Sequence, residues 1–474
     1  MDNFHLALVT ASRYNILPLT STCNLACLFC SHRQNPPGVE TWRLPPLKGE
    51  EVDNLLDYLD GDRKIVIGES ATRLIEGEPL THPDFLAIMR KIRRRFPRAR
   101  LEITTNGTLL TPKLIREMAD LQPLEINLSL NSASPEGRRR LMGDKNPGAA
   151  LKAPMALQQA GIIYQGSLVA CPWLVGWDDF RETILYLARA GARTIRVFLP
   201  GYTRLAPPEL RFPPGLRRQI EGELEQLRSL TDVPLLLEPP FLDNLLPEVE
   251  GVIPGTPAAR AGLKRGDLIL EIDGRKPRSR VEAYRLAAVP GQRRLLVGRS
   301  HGKNYGSSEL KLTGGQPGKS NGSCSEPSAT GEGIQGAFFE LEVGREGSGL
   351  TFAWDFDPDL LPEIEKACRR HGARKVLILT SRLGATVVKD AVAGLSLYLE
   401  VVATPSRFFG GSIGCAGLLT LADFQAAWQD WQEAKGPADL IILPSIAFDY
   451  QGRDLAGEHY LNLAASTGVP VELV

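Results

Sequence analysis

The chain has 474 residues, and its 55 lysines and arginines balance 55 aspartates and glutamates, so no net field draws it toward nucleic acid or an anionic membrane. Its length exceeds one ordinary domain and suggests about two to four, each able to bury its own core. No apolar run reaches the roughly 20 residues that span a bilayer, and the opening "MDNFHLALVTASRYN" lacks the layout of a signal peptide, so a cytoplasmic location is expected. In chain order, the first two hundred residues alternate short apolar runs with amphipathic segments. "YNILPLT", "KIVIGES", "ARLEITTNG", "PLEINLSLNS", "IIYQGSLVA" and "TIRVFLPG" read as strands. "EEVDNLLDYLDG", "HPDFLAIMRKIRRRFP", "TPKLIREMADL" and "DDFRETILYLARAGA" repeat apolar residues at helical spacing. Such alternation predicts parallel strands joined by crossovers, in an open sheet or a barrel. Around Arg211 to Leu246 the texture turns proline-rich about one charged helix, "GLRRQIEGELEQLRSL", which places a boundary after a first unit at 1–240. A second, β-rich unit follows at 246–354, rich in Gly and Asp-Gly turns and interrupted at about 301–336 by a Gly/Ser-rich stretch too polar to pack. A third, α/β unit occupies 355–474, where "KVLILTS", "YLEVVAT", "DLIILPS" and "VPVELV" alternate with helical segments. The basic run "RKIRRRFPRAR" reads as a solvated helix face rather than a nucleic-acid patch.

Seven cysteines are an odd number for a disulfide framework, and Cys171, Cys324, Cys368 and Cys415 are scattered singly. The other three lie in "TSTCNLACLFCSH", with Cys23, Cys27 and Cys30 at C-x3-C-x2-C spacing in a loop after an expected strand. Thiolates so spaced bind iron-sulfur or zinc. Zinc would recruit His32 to complete a Cys3His tetrahedron, but a closed zinc site draws ligand pairs from two loops and these candidates share one. Three thiolates on a four-iron cluster leave one iron open to another ligand, which is what chemistry needs.

"CNLACLFC" resembles the cluster loop of the radical S-adenosylmethionine superfamily. The resemblance continues through "EGEPLTHPDF", "TTNG" and "INLSLNS". It implies a partial (β/α)6 barrel, a [4Fe-4S] cluster on Cys23, Cys27 and Cys30, and S-adenosylmethionine chelated by the open iron. Phe29 would lie beside the adenine; Gly77, Glu78 and Pro79 would meet the methionyl amine; Asn106 on the next strand would also line the cofactor site, and Ser129 and Asn131 would serve the ribose or carboxylate. The family delivers one electron to the cofactor, giving methionine and a 5'-deoxyadenosyl radical that abstracts hydrogen from substrate. An electron donor such as flavodoxin or ferredoxin is implied as a partner. No residue stands out as a substrate base or radical relay.

The middle unit, "GVIPGTPAARAGLKRGDLILEIDGRKPRSRVEAYRLAA", resembles a bacterial PDZ domain: a short helix ended by Gly262, a turn at Gly266 and Asp267, another at Asp273 and Gly274, and a groove helix in "SRVEAYRLAA". PDZ domains bind extended peptides by strand addition, which points to a peptide or protein substrate. A glycine-containing carboxylate loop is missing before the expected groove strand, because "FLDNLLPEVEGV" has no Gly-Leu-Gly-Phe-like signature. The last unit resembles domain-of-unknown-function family 512, through "SRFFGGSIGCAGLLTLADF", "LIILPSIAF" and "GVPVELV"; its glycines Gly410, Gly411, Gly414 and Gly417 lie between a strand and a helix. The expectation is a three-domain radical enzyme. The alternative is a non-catalytic scaffold or electron-transfer protein in which the PDZ-like unit binds a partner and the cysteines hold zinc or a simple iron-sulfur cluster.

Overall fold

A computed structural model describes residues 3–71, 73–299 and 335–474. The Gly/Ser-rich stretch expected at 301–336 falls almost wholly outside the described residues, and Cys324 with it. The described chain divides into two compact units: residues 1–241, 362–385 and 395–474 form one, and residues 242–361 and 386–394 the other.

The first unit begins with strands β1 (Trp42–Arg43), β2 (Ile65–Ile67), β3 (Leu74–Ile75), β4 (Leu101–Thr105), β5 (Leu124–Ser129), β6 (Ile163–Val169), β7 (Ile195–Phe198) and β8 (Leu235–Glu238). Helices α1 (Asn3–Tyr14), α2 (Gly49–Leu56), α3 (Phe85–Arg95), α4 (Pro112–Ala119), α5 (Pro135–Met142), α6 (Gly148–Gln159), α7 (Pro172–Val175), α8 (Trp177–Arg189) and α9 (Leu216–Leu227) alternate with them. Six strands make one parallel sheet in the order β2-β4-β5-β6-β7-β8. The order follows the sequence without reversing, so successive crossovers wind one way, as in a barrel and unlike a doubly wound open sheet. Both faces are covered, which is why Ile65, Ile67, Leu101, Ile103, Ile126 and Leu128 are fully buried and the strands read as continuous apolar runs. Helix starts are set locally. The Thr111 and Ser134 hydroxyls accept the Leu114 and Gly137 amides, and Pro112 and Pro135 follow in the first helical position.

The expected strand "YNILPLT" forms no ladder of its own. Leu17 donates to the Val66 carbonyl and Val66 to that of Asn15, with a single parallel bridge at Ile16. Pro18 has no amide with which to extend it. The segment still lies against β2 with Leu17 and Leu19 fully buried, and it leads into the cysteine loop. Its next anchor is Glu76, whose Oε1 accepts the Leu19 amide at 2.9 Å while its Oε2 is buried without a partner.

The second unit holds β9 (Gly251–Val252), α10 (Pro257–Arg260), β10 (Leu268–Ile272), α11 (Arg280–Ala288), β11 (Gly291–Arg299), β12 (Gln335–Val343) and β13 (Leu350–Thr351). β10, β11 and β12 form an antiparallel sheet, and β13 pairs antiparallel with β9. Val249, Ile269, Leu295, Val297 and Leu341 supply its core. The expected turns are present: Asp273 and Gly274 adopt φ of 51° and 76°. Both β10 and β13 lie beside α11, β13 coming from the far end of the unit, and Asp355 beyond it accepts the Arg280 and Val281 amides at the start of α11. A glycine-containing turn, Gly344 to Gly349, leads into β13. A glycine-containing turn thus stands before β13 rather than before β9, far along the chain from its expected place.

The remaining elements are α12 (Leu361–His371), β14 (Lys375–Ser381), α13 (Ala385–Val392), β15 (Tyr398–Thr404), α14 (Leu421–Lys435), β16 (Leu440–Leu443), α15 (Leu461–Thr467) and β17 (Val471–Leu473). The four strands make a parallel sheet in the order β15-β14-β16-β17, with a core of Leu377, Leu379, Phe424, Trp428, Ile441 and Leu443. This sheet belongs to the same compact unit as the barrel strands. Arg73, 7% exposed, joins the two: its guanidinium pairs with Glu40, lies 3.2 Å from Asp449 and donates to the Asp454 carbonyl. Beside it the Glu40 amide donates to the Leu455 carbonyl at 2.8 Å. No helix among the described residues is long and apolar enough to cross a membrane.

Two measurements test these contacts. Removing one partner of a buried ion pair leaves the other charge uncompensated, so Arg73→Ala is expected to cost about 3–5 kcal/mol in urea unfolding. A loss below about 1 kcal/mol, the range of an exposed pair, would show that Arg73 carries little of the docking. Burial pushes the Glu76 carboxyl up to about 8 from 4.5. The native state therefore keeps a proton that the unfolded chain releases, and stability is full below the ordinary value and falls as pH rises through about 8. Glu76→Gln should flatten the decline in melting temperature between about pH 4.5 and 8; an unchanged slope would remove Glu76 as its source.

Candidate functional site

The three cysteines occupy the loop between the Leu17–Thr20 segment and the 3-10 turn at Ser31–Arg33. The loop is pinned from below by α5: Ala26 donates to the Met142 carbonyl at 3.0 Å and Leu28 to that of Leu141 at 2.8 Å. Cys23 is exposed, whereas Cys27 and Cys30 are half-buried. Burial raises the Cys23 thiol above its ordinary value and pushes Cys27 up to about 12, with the neighbouring thiols adding to the rise and Arg138 opposing it. Cys23 and Cys27 thus sense the charge of neighbouring thiols, and both stay protonated until a metal takes the proton's place. Among the described residues no three His, Cys, Asp or Glu side chains gather closely enough to hold a single metal ion, as tetrahedral zinc would require. A four-iron cluster instead gives each thiolate its own iron.

The other predicted residues sit on neighbouring strand ends. Gly77 closes the approach of β3 to the segment before Cys23. Its amide donates to the Thr20 carbonyl at 2.8 Å, and a Cβ there would lie 2.1 Å from the Thr22 carbonyl oxygen, so only glycine fits. Glu78 follows, its amide on the Thr22 carbonyl. Its carboxyl, 3% exposed, accepts the Thr105 hydroxyl and the Asn106 amide, both at 2.7 Å, and the Leu80 amide. Burial pushes it up to about 7 in spite of these donors. Pro79 opens the following 3-10 turn and is buried. The Asn106 side chain donates to Asn24 at 3.0 Å and accepts from Thr108, tying the end of β4 to the residue after Cys23. Ser129, at the end of β5, accepts from the Ser167 hydroxyl. Asn131 adopts a positive φ of 62°, which turns its Oδ1 to the Val169 amide at 2.9 Å and its Nδ2 toward the Ser129 carbonyl and the Met142 sulfur. Phe29 packs on an apolar patch that includes Met142, Leu141 and Cys171. Cys171 itself is buried, its thiol pushed up to about 12, and acts as a small apolar residue. His32, the candidate zinc ligand, is held below its ordinary value by burial and by Arg43.

The structure therefore joins Gly77, Glu78 and Asn106 into one hydrogen-bonded group, while Asn131 meets the Met142 sulfur and Phe29 packs on the patch to which Met142 belongs. Two buried residues that organise this group were not singled out from the sequence. Arg138 is fully buried; it pairs with Asp144 at 2.8 Å and donates to the Leu130 and Asn106 carbonyls at 2.6 and 3.1 Å. In "EGRRRLMGD" it looks like one more surface arginine. The available signal was its spacing, three and four residues before the buried Leu141 and Met142, on the same helix face. An open cleft of about 520 Å³ borders the loop, lined by Cys23 to Ala26 and by Thr108, Leu109 and Gly143 to Asn146.

Residues 17–187 match the Radical SAM superfamily, and residues 248–299 match the PDZ domain. Among curated relatives, the FeMo cofactor biosynthesis protein NifB of Chlorobaculum tepidum is 29% identical over 127 residues, 25% of this chain and 28% of that protein. The AdoMet-dependent heme synthase of Methanosarcina barkeri is 30% identical over 146 residues, 30% of this chain and 38% of that one. The GTP 3',8-cyclase of Aquifex aeolicus is 28% identical over 174 residues, 36% of this chain and 51% of that one. Each match spans less than two thirds of the relative. Of solved structures, Streptococcus suis SuiB bound to S-adenosylmethionine aligns at a TM-score of 0.35 and 15% identity, covering 49% of this chain and 54% of that one. The superfamily is one that uses a [4Fe-4S] cluster and S-adenosylmethionine. The chain carries a radical SAM domain followed by a PDZ domain.

Proposed function

We propose that the protein is a radical S-adenosylmethionine enzyme in which Cys23, Cys27 and Cys30 hold a [4Fe-4S] cluster. The observation that carries this reading is the gathering of a three-thiol loop with Asn106, Ser129 and Asn131 at the C-terminal ends of the adjacent parallel strands β4 and β5, where such folds place their chemistry, and with Gly77–Pro79 beyond β3, joined to β4 through Glu78. When bound, the cluster supplies the electron that cleaves S-adenosylmethionine so that hydrogen can be taken from a substrate. The protein's own work is positioning and shielding. Gly77 lets the backbone come close; Glu78 and Arg138 lock the ends of β3, β4 and β5; Ser129 and Asn131 present polar groups for the ribose or carboxylate; and Phe29 offers a face for the adenine. The curated relatives act on unlike molecules, so none of their substrates is carried over.

The substrate class we favour is a peptide or protein, and its support is β13. Among the described residues this strand pairs only with β9 and lies beside α11, with the Gly344 to Gly349 turn at its start. An extended peptide added between β13 and α11 would set its carboxylate against that turn.

Anaerobic iron and sulfide reconstitution, followed by S-adenosylmethionine and dithionite, should yield a brown protein that forms 5'-deoxyadenosine, while Cys27→Ala gives neither. A colourless, zinc-loaded wild type would sink the reading in favour of a scaffold. For the peptide groove, a fluorescent peptide ending in a free carboxylate should bind the full chain about tenfold more tightly than its amide, the loss expected for charge-assisted hydrogen bonds. Equal binding of the two would rule out capture of the chain end.

A further inference from the structure

The loop that follows β15 reaches the barrel next to the thiol loop. Its base is fixed on α14: the Asp423 carboxylate, 2% exposed, accepts the Arg407 and Phe408 amides at 2.7 and 3.0 Å and the Thr420 amide and hydroxyl. Gly410 and Gly411 then adopt φ of 65° and 62°, a pair of left-handed residues that costs little only for glycine. This turns Phe409 to Ser412 alongside residues 200–204. Ser412 donates its amide to the Tyr202 carbonyl at 2.9 Å, accepts the Tyr202 amide on its hydroxyl at 2.9 Å, and donates that hydroxyl to the Pro200 carbonyl at 2.9 Å. The Arg204 amide closes the clasp on the Phe409 carbonyl at 2.8 Å. A Cβ on Gly411 would lie 2.1 Å from the Tyr202 carbonyl oxygen, so the two backbones touch.

What the clasp holds is directly connected to the cysteines. The Tyr202 side chain packs on the same apolar patch as Cys27, Leu28 and Phe29. Thr203 donates its amide to the Gln34 side chain at 3.1 Å and its hydroxyl to the Gln34 carbonyl. Gln34 is 2% exposed and lies four residues past Cys30. An unbroken run of hydrogen bonds and packing therefore leads from α14 through Ser412, Tyr202 and Thr203 to both sides of Cys30.

We propose that Gly411 and Ser412 are positioning residues for the thiol loop: the clasp from the C-terminal sheet fixes Tyr202 and Thr203, and these fix the loop that carries Cys23, Cys27 and Cys30. The inference rests on the reading of that loop as the cluster site, but the order it imposes is a property of the metal-free chain and is measured there. Hydrogen exchange in the full-length protein reads it, because the Ala26, Leu28, Cys30, Arg33 and Gln34 amides are all hydrogen-bonded. Ser412→Ala and Gly411→Ala are expected to raise exchange over residues 23–34 about tenfold, and Ser412→Thr, which keeps the hydroxyl, to stay close to wild type. Val469→Ala serves as the control, since it weakens the C-terminal core away from the clasp and is expected to leave 23–34 protected. Unchanged exchange at 23–34 in both clasp variants overturns the proposal, as does a rise that Val469→Ala reproduces. A second readout follows reconstitution: the clasp variants should bind less iron per chain than Val469→Ala. A wild type that binds no iron would refute the cluster reading while leaving the exchange result to decide the clasp.

Discussion

A carboxyl group almost cut off from water holds this site together. Glu78 is buried at the end of β3, and an isolated carboxylate there would be costly. Its cost is met by donors from two directions: the Leu80 amide in its own turn, and the Thr105 hydroxyl and Asn106 amide at the end of β4. Because those donors are fixed in a strand, satisfying Glu78 also sets the spacing of neighbouring strand ends. Asn106 passes the constraint to Asn24 in the thiol loop, and Arg138 passes it to β5 through the Leu130 carbonyl. The arrangement is thus over-determined by buried polar groups that each need a partner, which is the condition under which such groups confer rigidity.

The C-terminal sheet adds a constraint of the same kind from outside the barrel. Arg73 and the Gly411–Ser412 clasp touch the chain at separate points, one beside Glu40 and the other through Thr203 onto Gln34. Both Gln34 and Glu40 lie in the stretch just after the third cysteine. That stretch has almost no regular structure of its own, so its order comes from what is packed around it.

Much of the barrel was legible because parallel strands covered on both faces leave a distinctive alternation of apolar runs and amphipathic helices, and three cysteines on one short loop are a strong local signal. The middle unit was legible through its turns, where Asp273, Gly274 and Gly266 take left-handed conformations that few residues tolerate. What escaped was non-local. The order of strands around α11 could not be read because β13 lies far along the chain from β9. Arg138 and Asp144 were lost among surface charges, since burial of an arginine is decided by neighbours that the local sequence does not name. "YNILPLT" had the composition of a strand, but Pro18 and a short partner in β2 left it only one bridge.

The division into compact units also bears on synthesis. Residues 395–474 complete the unit that begins at residue 1, and the whole of the other unit lies between them in the chain. A ribosome therefore releases the barrel segments well before the elements that clasp them, and domains generally fold as they emerge. The nascent thiol loop waits, without its outer brace, through the translation of more than a hundred intervening residues. Bracing of the thiol loop is accordingly a later event than synthesis of the loop itself, and it waits on residues 407–412 and the helix that holds them.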